Sequence, residues 1–286
     1  MNSTPAISVE HLSLRYGGVT ALDDVSFAVE PGSVVGLLGR NGAGKTTLLN
    51  CILGLTAPQD GAARILNCAS LNLTDSVRER LGYVPQTPEL FDWLTVQQNL
   101  ELIGRFYKNW SDEYASALCA RMSLSSHANA RTLSPGERQR LAIVQALAHK
   151  PDLLIFDEPV ASLDPIARRD FLRTLFDHTV EAGRDVTVVL SSHLLEDIER
   201  VATHLLFLRN GAVQCFANHD EVSENFQVVY SAYRLDRRTR ALHTGEVANG
   251  QWRSVVDVRT FDRSALHSDA KMSRVALGDL FEAFNT

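Results

Sequence analysis

The stretch Val34-Val35-Gly36-Leu37-Leu38-Gly39-Arg40-Asn41-Gly42-Ala43-Gly44-Lys45-Thr46 decides how the whole chain is read. Val34–Leu38 is a short apolar run with the length of a buried strand. Gly39 to Thr46 fits G-x-x-x-x-G-K-[ST] in full, and Lys45 to Leu53 continues at helical spacing until Gly54, a residue suited to end a helix. In that strand–turn–helix setting the glycines let successive backbone N–H groups converge on phosphate oxygens. The start of the helix adds roughly half a positive charge at the same point. Lys45 brings a full charge to the β- and γ-phosphates, and the Thr46 hydroxyl is a hard oxygen suited to Mg2+.

Far downstream, Leu153-Leu154-Ile155-Phe156-Asp157-Glu158 is an apolar strand that ends in two carboxylates. Asp157 is placed to hold Mg2+ through water, and Glu158 to polarise an attacking water as general base or orienting group. Together the two motifs predict a P-loop nucleoside triphosphatase, a class that many unrelated machines share.

Around these motifs apolar runs alternate with helical patterns, which predicts an α/β fold with a mixed sheet. Ile7–Arg15, Val25–Val29, Leu81–Val84, Leu153–Phe156 and Val186–Ser191 read as strands. Thr95 to about Met122 reads as helical, with Leu100, Ile103, Phe106 and Tyr107 on one side, and helices follow over Gly136–His149 and Pro165–Ala182. Asn210-Gly211 between two apolar runs is a two-residue hairpin signal. After about Gln227 the composition changes to short alternating segments such as Trp252–Val258, closing on an amphipathic Leu277–Phe284. The expected division is therefore 1–226 for the catalytic domain and 227–286 for a small β-rich accessory region with a terminal helix.

The 286 residues, 45% hydrophobic and 22% charged, suffice for a sizeable core. A net charge of -6 argues against a dedicated nucleic-acid binder. No apolar run approaches the ~18–20 residues of a membrane span, and Met1–Glu10 lacks the basic and apolar regions of a signal peptide. Any membrane role then runs through another chain. Cys51, Cys68, Cys119 and Cys215 are scattered, as reduced thiols of a cytoplasmic protein would be. The nine histidines show no metal-ligand spacing, so no structural zinc is expected.

Leu133-Ser134-Pro135-Gly136-Glu137-Arg138-Gln139-Arg140 narrows the class, because it resembles the LSGGQ signature of ABC ATPases and lies between the two phosphate-site motifs. Tyr16 is similar to the aromatic that stacks on adenine, Gln86 to the Q-loop glutamine, Ala161-Ser162-Leu163-Asp164 to the D-loop, and His193 to the switch histidine. The resemblance covers about residues 7 to 220. It implies an N-terminal antiparallel β subdomain and a helical signature subdomain at about 87–140. It implies ATP contacts from Tyr16, Gly39, Asn41, Gly42, Ala43, Gly44, Lys45, Thr46 and Thr47. Ser134, Gly136 and Asp164 would act across a head-to-tail dimer, homo- or heteromeric. Mg2+ would be held by Thr46, Gln86 and Asp157, and Glu158, Gln86 and His193 would serve hydrolysis.

Pro135 and Glu137 depart from the signature pattern. Proline removes an N–H donor but fits the first turn of a helix, and Glu137 places a carboxylate near the partner's nucleotide. Asp164 could equally cap the helix from Pro165, and both roles are compatible.

The resemblance is strongest to the exporter-type branch, whose permeases are separate chains, and places the subunit on the cytoplasmic face of the cell membrane. Phe91 and Trp93 are candidates for a docking patch on such a permease. A soluble non-transport ABC ATPase or a regulatory ATP-binding module is the alternative. Arg234, Arg237, Arg238 and Arg240 fit either lipid headgroups or a solvated strand face.

Overall fold

The computed structural model describes residues 4–181, 185–235, 239–247, 250–266 and 269–286. The chain opens on a hairpin, β1 (Ile7–Tyr16) and β2 (Val19–Val29), turning at Gly17-Gly18. The second strand begins well before the predicted Val25. His11 and Asp24 both take positive φ, near 50°, and the pairing slips register around them. These irregularities break the two-residue period that the sequence reading relied on.

Strand β3 (Val34–Leu38), helix α1 (Lys45–Ile52), β4 (Asp60–Ile65), β5 (Cys68–Ala69), a single turn α2 (Asp75–Arg78) and β6 (Leu81–Val84) follow. A helical portion comes next: α3 (Val96–Gly104), α4 (Asp112–Arg121) and α5 (Pro135–Leu147). The continuous pattern predicted over 95–122 is thus two helices. Gly104 gives room to the Trp110 indole, which would meet a Cβ there at 2.7 Å. Ser111 caps the new helix by accepting from Tyr114 N at 3.1 Å, with Asp112 and Glu113 in its first turn. Phe106, expected on the apolar side, lies in the break and is 74% exposed.

The central sheet is completed by β7 (Leu153–Asp157), α6 (Pro165–Glu181), β8 (Thr187–Ser192), α7 (Leu195–Val201), β9 (His204–Arg209) and β10 (Ala212–Asn218), with α8 (His219–Asn225) after it. Ala182, where α6 was expected to end, lies outside the described residues. The Asn210-Gly211 turn joins β9 to β10 with φ of 49° and 79°, the geometry its sequence calls for. Strand order is β10-β9-β3-β8-β7-β6, parallel except for β10.

This sheet is buried on both faces, and its side chains alternate between two cores. Leu153, Ile155, Val189 and Leu206 pack with α1 and the antiparallel sheet β2-β1-β4-β5. Leu154, Phe156, Val188 and Phe207 pack with the helices on the other side.

The last segment, β11 (Phe226–Ser231), β12 (His243–Val247), β13 (Gln251–Asp257), β14 (Lys271–Arg274) and α9 (Leu277–Asn285), forms a four-stranded antiparallel sheet and a helix. Arg237 and Arg238 lie outside the described residues, while the Arg234 guanidinium sits over the Trp252 ring. Helix α9 shares the larger core: Phe284 meets Phe207 at 4.9 Å and Phe226 at 5.6 Å between ring centroids. Phe284→Ala should therefore lower the free energy of unfolding by about 3–5 kcal/mol in a urea titration. A loss below about 1 kcal/mol would mean that α9 is only loosely seated.

Candidate active site

Four parallel strands end side by side at one edge of the sheet, and each delivers part of the site. Leu38 pairs with Ser192, Asp157 with Ser191, and Val84 with Phe156. The phosphate loop after β3, His193 after β8, the Asp157-Glu158 pair at the end of β7 and Gln86 after β6 are thus carried to one crevice, the usual ligand position of an open α/β sheet.

The loop is shaped by glycine where nothing else fits. Gly44 has φ 104°, and a Cβ on it would lie 2.5 Å from Ala21 O. Helix α1 starts there with no side-chain cap and no acidic residue in its first turn, so its first N–H groups face the loop. The Lys45 ammonium is buried, donating to Gly39 O at 2.9 Å and Arg40 O at 3.4 Å.

Lys45 also pairs with Glu158 Oε1 at 3.2 Å, both side chains being over 90% buried. The other Glu158 oxygen, Oε2, lies 2.6 Å from His193 Nδ1. Glu158 has φ 47°, a strained value for a residue with a side chain, and strain of this kind clusters at functional sites. Ser191 ties the carboxylates together: its Oγ accepts from Glu158 N at 2.8 Å and donates to Asp157 Oδ1 at 2.6 Å. The sequence reading quoted Ser191 only as part of a strand end.

Asp157 is fully buried, and its Oδ2 is left without a hydrogen-bond partner among the described residues. Burial, and then this carboxylate, push the Tyr83 phenol up to about 12. The orphaned oxygen of Asp157 and the hydroxyl of Thr46, exposed in the first turn of α1, are hard ligands that suit Mg2+, which takes one or two carboxylates and completes its shell with phosphates and water. No group of three or more His, Cys, Asp or Glu able to hold a metal occurs among the described residues.

Three other expected site residues are exposed. Tyr16 is 53% exposed at the tip of the β1–β2 hairpin. Asp164 caps α6, accepting from Ile166 N at 2.9 Å and Ala167 N at 3.0 Å, bonds that hold its carboxyl below the usual range. Gln86 is exposed.

The signature is a capping box. Ser134 is the N-cap of α5, Pro135 its first residue, and Glu137 folds back to accept from Ser134 N at 2.8 Å and Ser134 Oγ at 2.7 Å. The hydrogen bonds from the Ser134 hydroxyl and backbone hold the Glu137 carboxyl below its ordinary value. The carboxylate expected near the partner's nucleotide is bonded to its own serine in this chain, because an N-cap serine with glutamate three residues on closes this ring locally. Gly136 backs onto the D-loop, where a Cβ would meet Ser162 O at 3.0 Å. Sequence reasoning missed two links beside it. Arg138 binds Asp92 at 2.7 Å, and the buried Gln139 donates to Pro85 O at 3.4 Å, so α5 grips both sides of the Gln86 segment.

The family described as ABC transporter matches residues 22–161. ABC transporter ATP-binding protein YtrB of Bacillus subtilis is 31% identical over 230 residues, spanning 80% of this chain and 78% of its own length. The chain belongs to the ABC transporter ATP-binding proteins. Nod factor export ATP-binding protein I of Ralstonia nicotianae is 37% identical over 219 residues, 74% of this chain and 66% of the relative. Among solved structures, an ATP-binding subunit of an ABC transporter matches with TM-score 0.69 and 31% identity, over 77% of this chain and 92% of that one. A dimeric post-hydrolysis state of the ATP-binding cassette MJ0796, bound to ADP and Pi, matches with TM-score 0.66 and 25% identity, over 74% and 98%. As an ABC ATP-binding subunit this chain binds ATP and is an ATPase; subunits of its kind dimerise and pair with transmembrane subunits. No helix among its described residues is long and apolar enough to cross a membrane.

Proposed function

We propose that this chain powers export, closing on ATP with a second ABC subunit, identical or not, to move a separate transmembrane permease from the cytoplasmic face of the membrane. The convergence of Lys45, Asp157, Glu158 and His193 on neighbouring strand ends carries the reading. Residues 1–226 act as the ATPase domain, with about 87–140 its helical subdomain, and 227–286 act as the accessory region.

In this reading ATP lies on Gly39, Asn41, Gly42, Ala43, Gly44, Lys45, Thr46 and Thr47, with adenine against Tyr16. Lys45 neutralises the phosphates, and Glu158 polarises water toward the γ-phosphate. His193, bonded through Nδ1, orients that carboxylate, and Gln86 reports the γ-phosphate to the helical subdomain. Thr46, Asp157 and Gln86 would hold Mg2+, which when bound would neutralise charge on the phosphates. Ser134, Gly136 and Asp164 meet the nucleotide of the opposite subunit.

Toward the permease, a groove of about 400 Å³ lined by Leu55, Tyr83, Pro85, Ile103 and Tyr107 opens beside the Gln86 segment. Trp93, 74% exposed and edge-on to Phe91 at 5.5 Å, extends the apolar surface nearby. Export rather than import follows the Nod factor export relatives.

Isolation from native membranes in mild detergent, followed by mass spectrometry, tests the assignment. A multi-spanning protein in stoichiometric amount is expected; recovery entirely free of membrane protein would refute the transporter reading.

The signature makes a separate prediction. Ser134 donates its proton to Glu137, so it can bond a partner's phosphate only by leaving that carboxylate. Glu137→Gln removes the charge and keeps an acceptor, and should lower the ATP concentration for half-maximal dimerisation about tenfold, or about 1.4 kcal/mol. An unchanged or higher requirement, read by light scattering, would show that the partner's nucleotide does not feel this residue.

A further inference from the structure

We infer that Asn285 is a positioning residue for the phosphate loop, through which the accessory region braces the nucleotide cradle from outside. Arg40 N donates to Asn285 Oδ1 at 3.3 Å. The amide is oriented for this by its own Nδ2, which donates to Phe281 O at 2.7 Å. The neighbouring Phe284, packed on Phe207, fixes the end of α9 over β9, and Arg209 Nη2 donates to Thr286 O at 3.0 Å.

Arg209 leads straight into the Asn210-Gly211 turn, whose Gly211 N donates to Ala43 O at 2.9 Å. The loop is therefore held from outside at Arg40 and at Ala43, while Lys45 holds Gly39 O and Arg40 O from inside. Between these points Gly42 and Gly44 have no side chains with which to fix themselves. A cradle of converging N–H groups binds phosphate well only if its shape is set beforehand.

The accessory sheet in turn fixes the helix. Arg253 on β13 pairs with Asp279 at 2.8 Å and Glu282 at 2.5 Å, and His243 on β12 lies 2.9 Å from Thr286 Oγ1. A continuous set of contacts thus runs from the accessory sheet through α9 to the phosphate loop. Asn285 touches the loop and not the reacting atoms, so its effect belongs to nucleotide affinity rather than to turnover.

The inference rests on nucleotide binding at Gly39–Thr46, and calorimetric titration with ADP, which is not hydrolysed, tests it. Asn285→Leu removes the acceptor at similar volume; Asn285→Asp keeps an acceptor oxygen, with its charge screened at high salt. The leucine variant should raise the ADP Kd and the ATP KM about three- to tenfold, with kcat and the nucleotide-free Tm unchanged. The aspartate variant in high salt keeps the acceptor for Arg40 N but loses the bond to Phe281 O, and should recover part of that loss. An unchanged Kd for leucine, equal impairment of both variants, or a Kd rise accompanied by a matching fall in Tm would overturn it. Failure of the unaltered chain to bind ADP would overturn the nucleotide site itself, and this inference with it.

Discussion

Glu158→Gln will leave ATP bound, hold two ATP-loaded subunits together, and cut phosphate release by roughly 10²–10⁴-fold. The substitution changes charge and little else. Glutamine has the same length, suffers the same φ of 47°, and can still accept from His193 Nδ1. It cannot take a proton from water or draw water toward the γ-phosphate. In the proposed cycle closure draws on the phosphates and the opposing signature, so the variant should stop after closure. Lys45 simultaneously loses its buried counter-charge, a change that costs about 3–5 kcal/mol when no other partner remains. Its bonds to Gly39 O and Arg40 O moderate that loss, and added ATP should restore the melting temperature. Size-exclusion chromatography with and without ATP, beside a phosphate-release assay, reads both halves. A monomer that hydrolyses at the unaltered rate would remove Glu158 from catalysis.

Lys45→Ala is expected to weaken ATP binding by roughly 10²-fold or more, since each charge-assisted hydrogen bond to phosphate contributes about 1.5–3 kcal/mol. The same truncation leaves Glu158 as a buried carboxylate with His193 as its remaining partner. Loss of binding should therefore come with loss of stability at neutral pH, unlike Glu158→Gln, in which nucleotide rescues the fold. A calorimetric Kd within about threefold of the unaltered chain would mean that Lys45 holds the loop together without meeting phosphate.

The parts of this molecule that were legible in sequence are those governed by local chemistry. Gly39–Thr46 needs its glycines at fixed places, and Asn210-Gly211 selects one turn, so both read through without tertiary knowledge. The strand ending in Asp157-Glu158 is a run of apolar residues buried on both faces, and no polar alternation blurs it. What failed to read was set by interruptions of a period. The positive φ of Asp24 hid the first half of β2, and Gly104 with Ser111 split a helix whose apolar spacing continued across the break. The Ser134–Glu137 ring has the spacing of a capping box, a local pattern that coincides in the same residues with the resemblance to a ligand-binding signature. The partners of Ser191, Gln139 and Asn285 were not legible, because each acts on a residue at least 33 positions away.

Because Phe284, Leu280 and Val255 lie in the same apolar body as Phe156 and Val188, the accessory region is not a detachable module. Cutting the chain after Phe226 would uncover Phe207 and a row of sheet side chains to water, inviting aggregation rather than yielding a minimal cassette. For protein engineering the unit of exchange is therefore the entire chain: grafting a different tail means redesigning the surface beneath it.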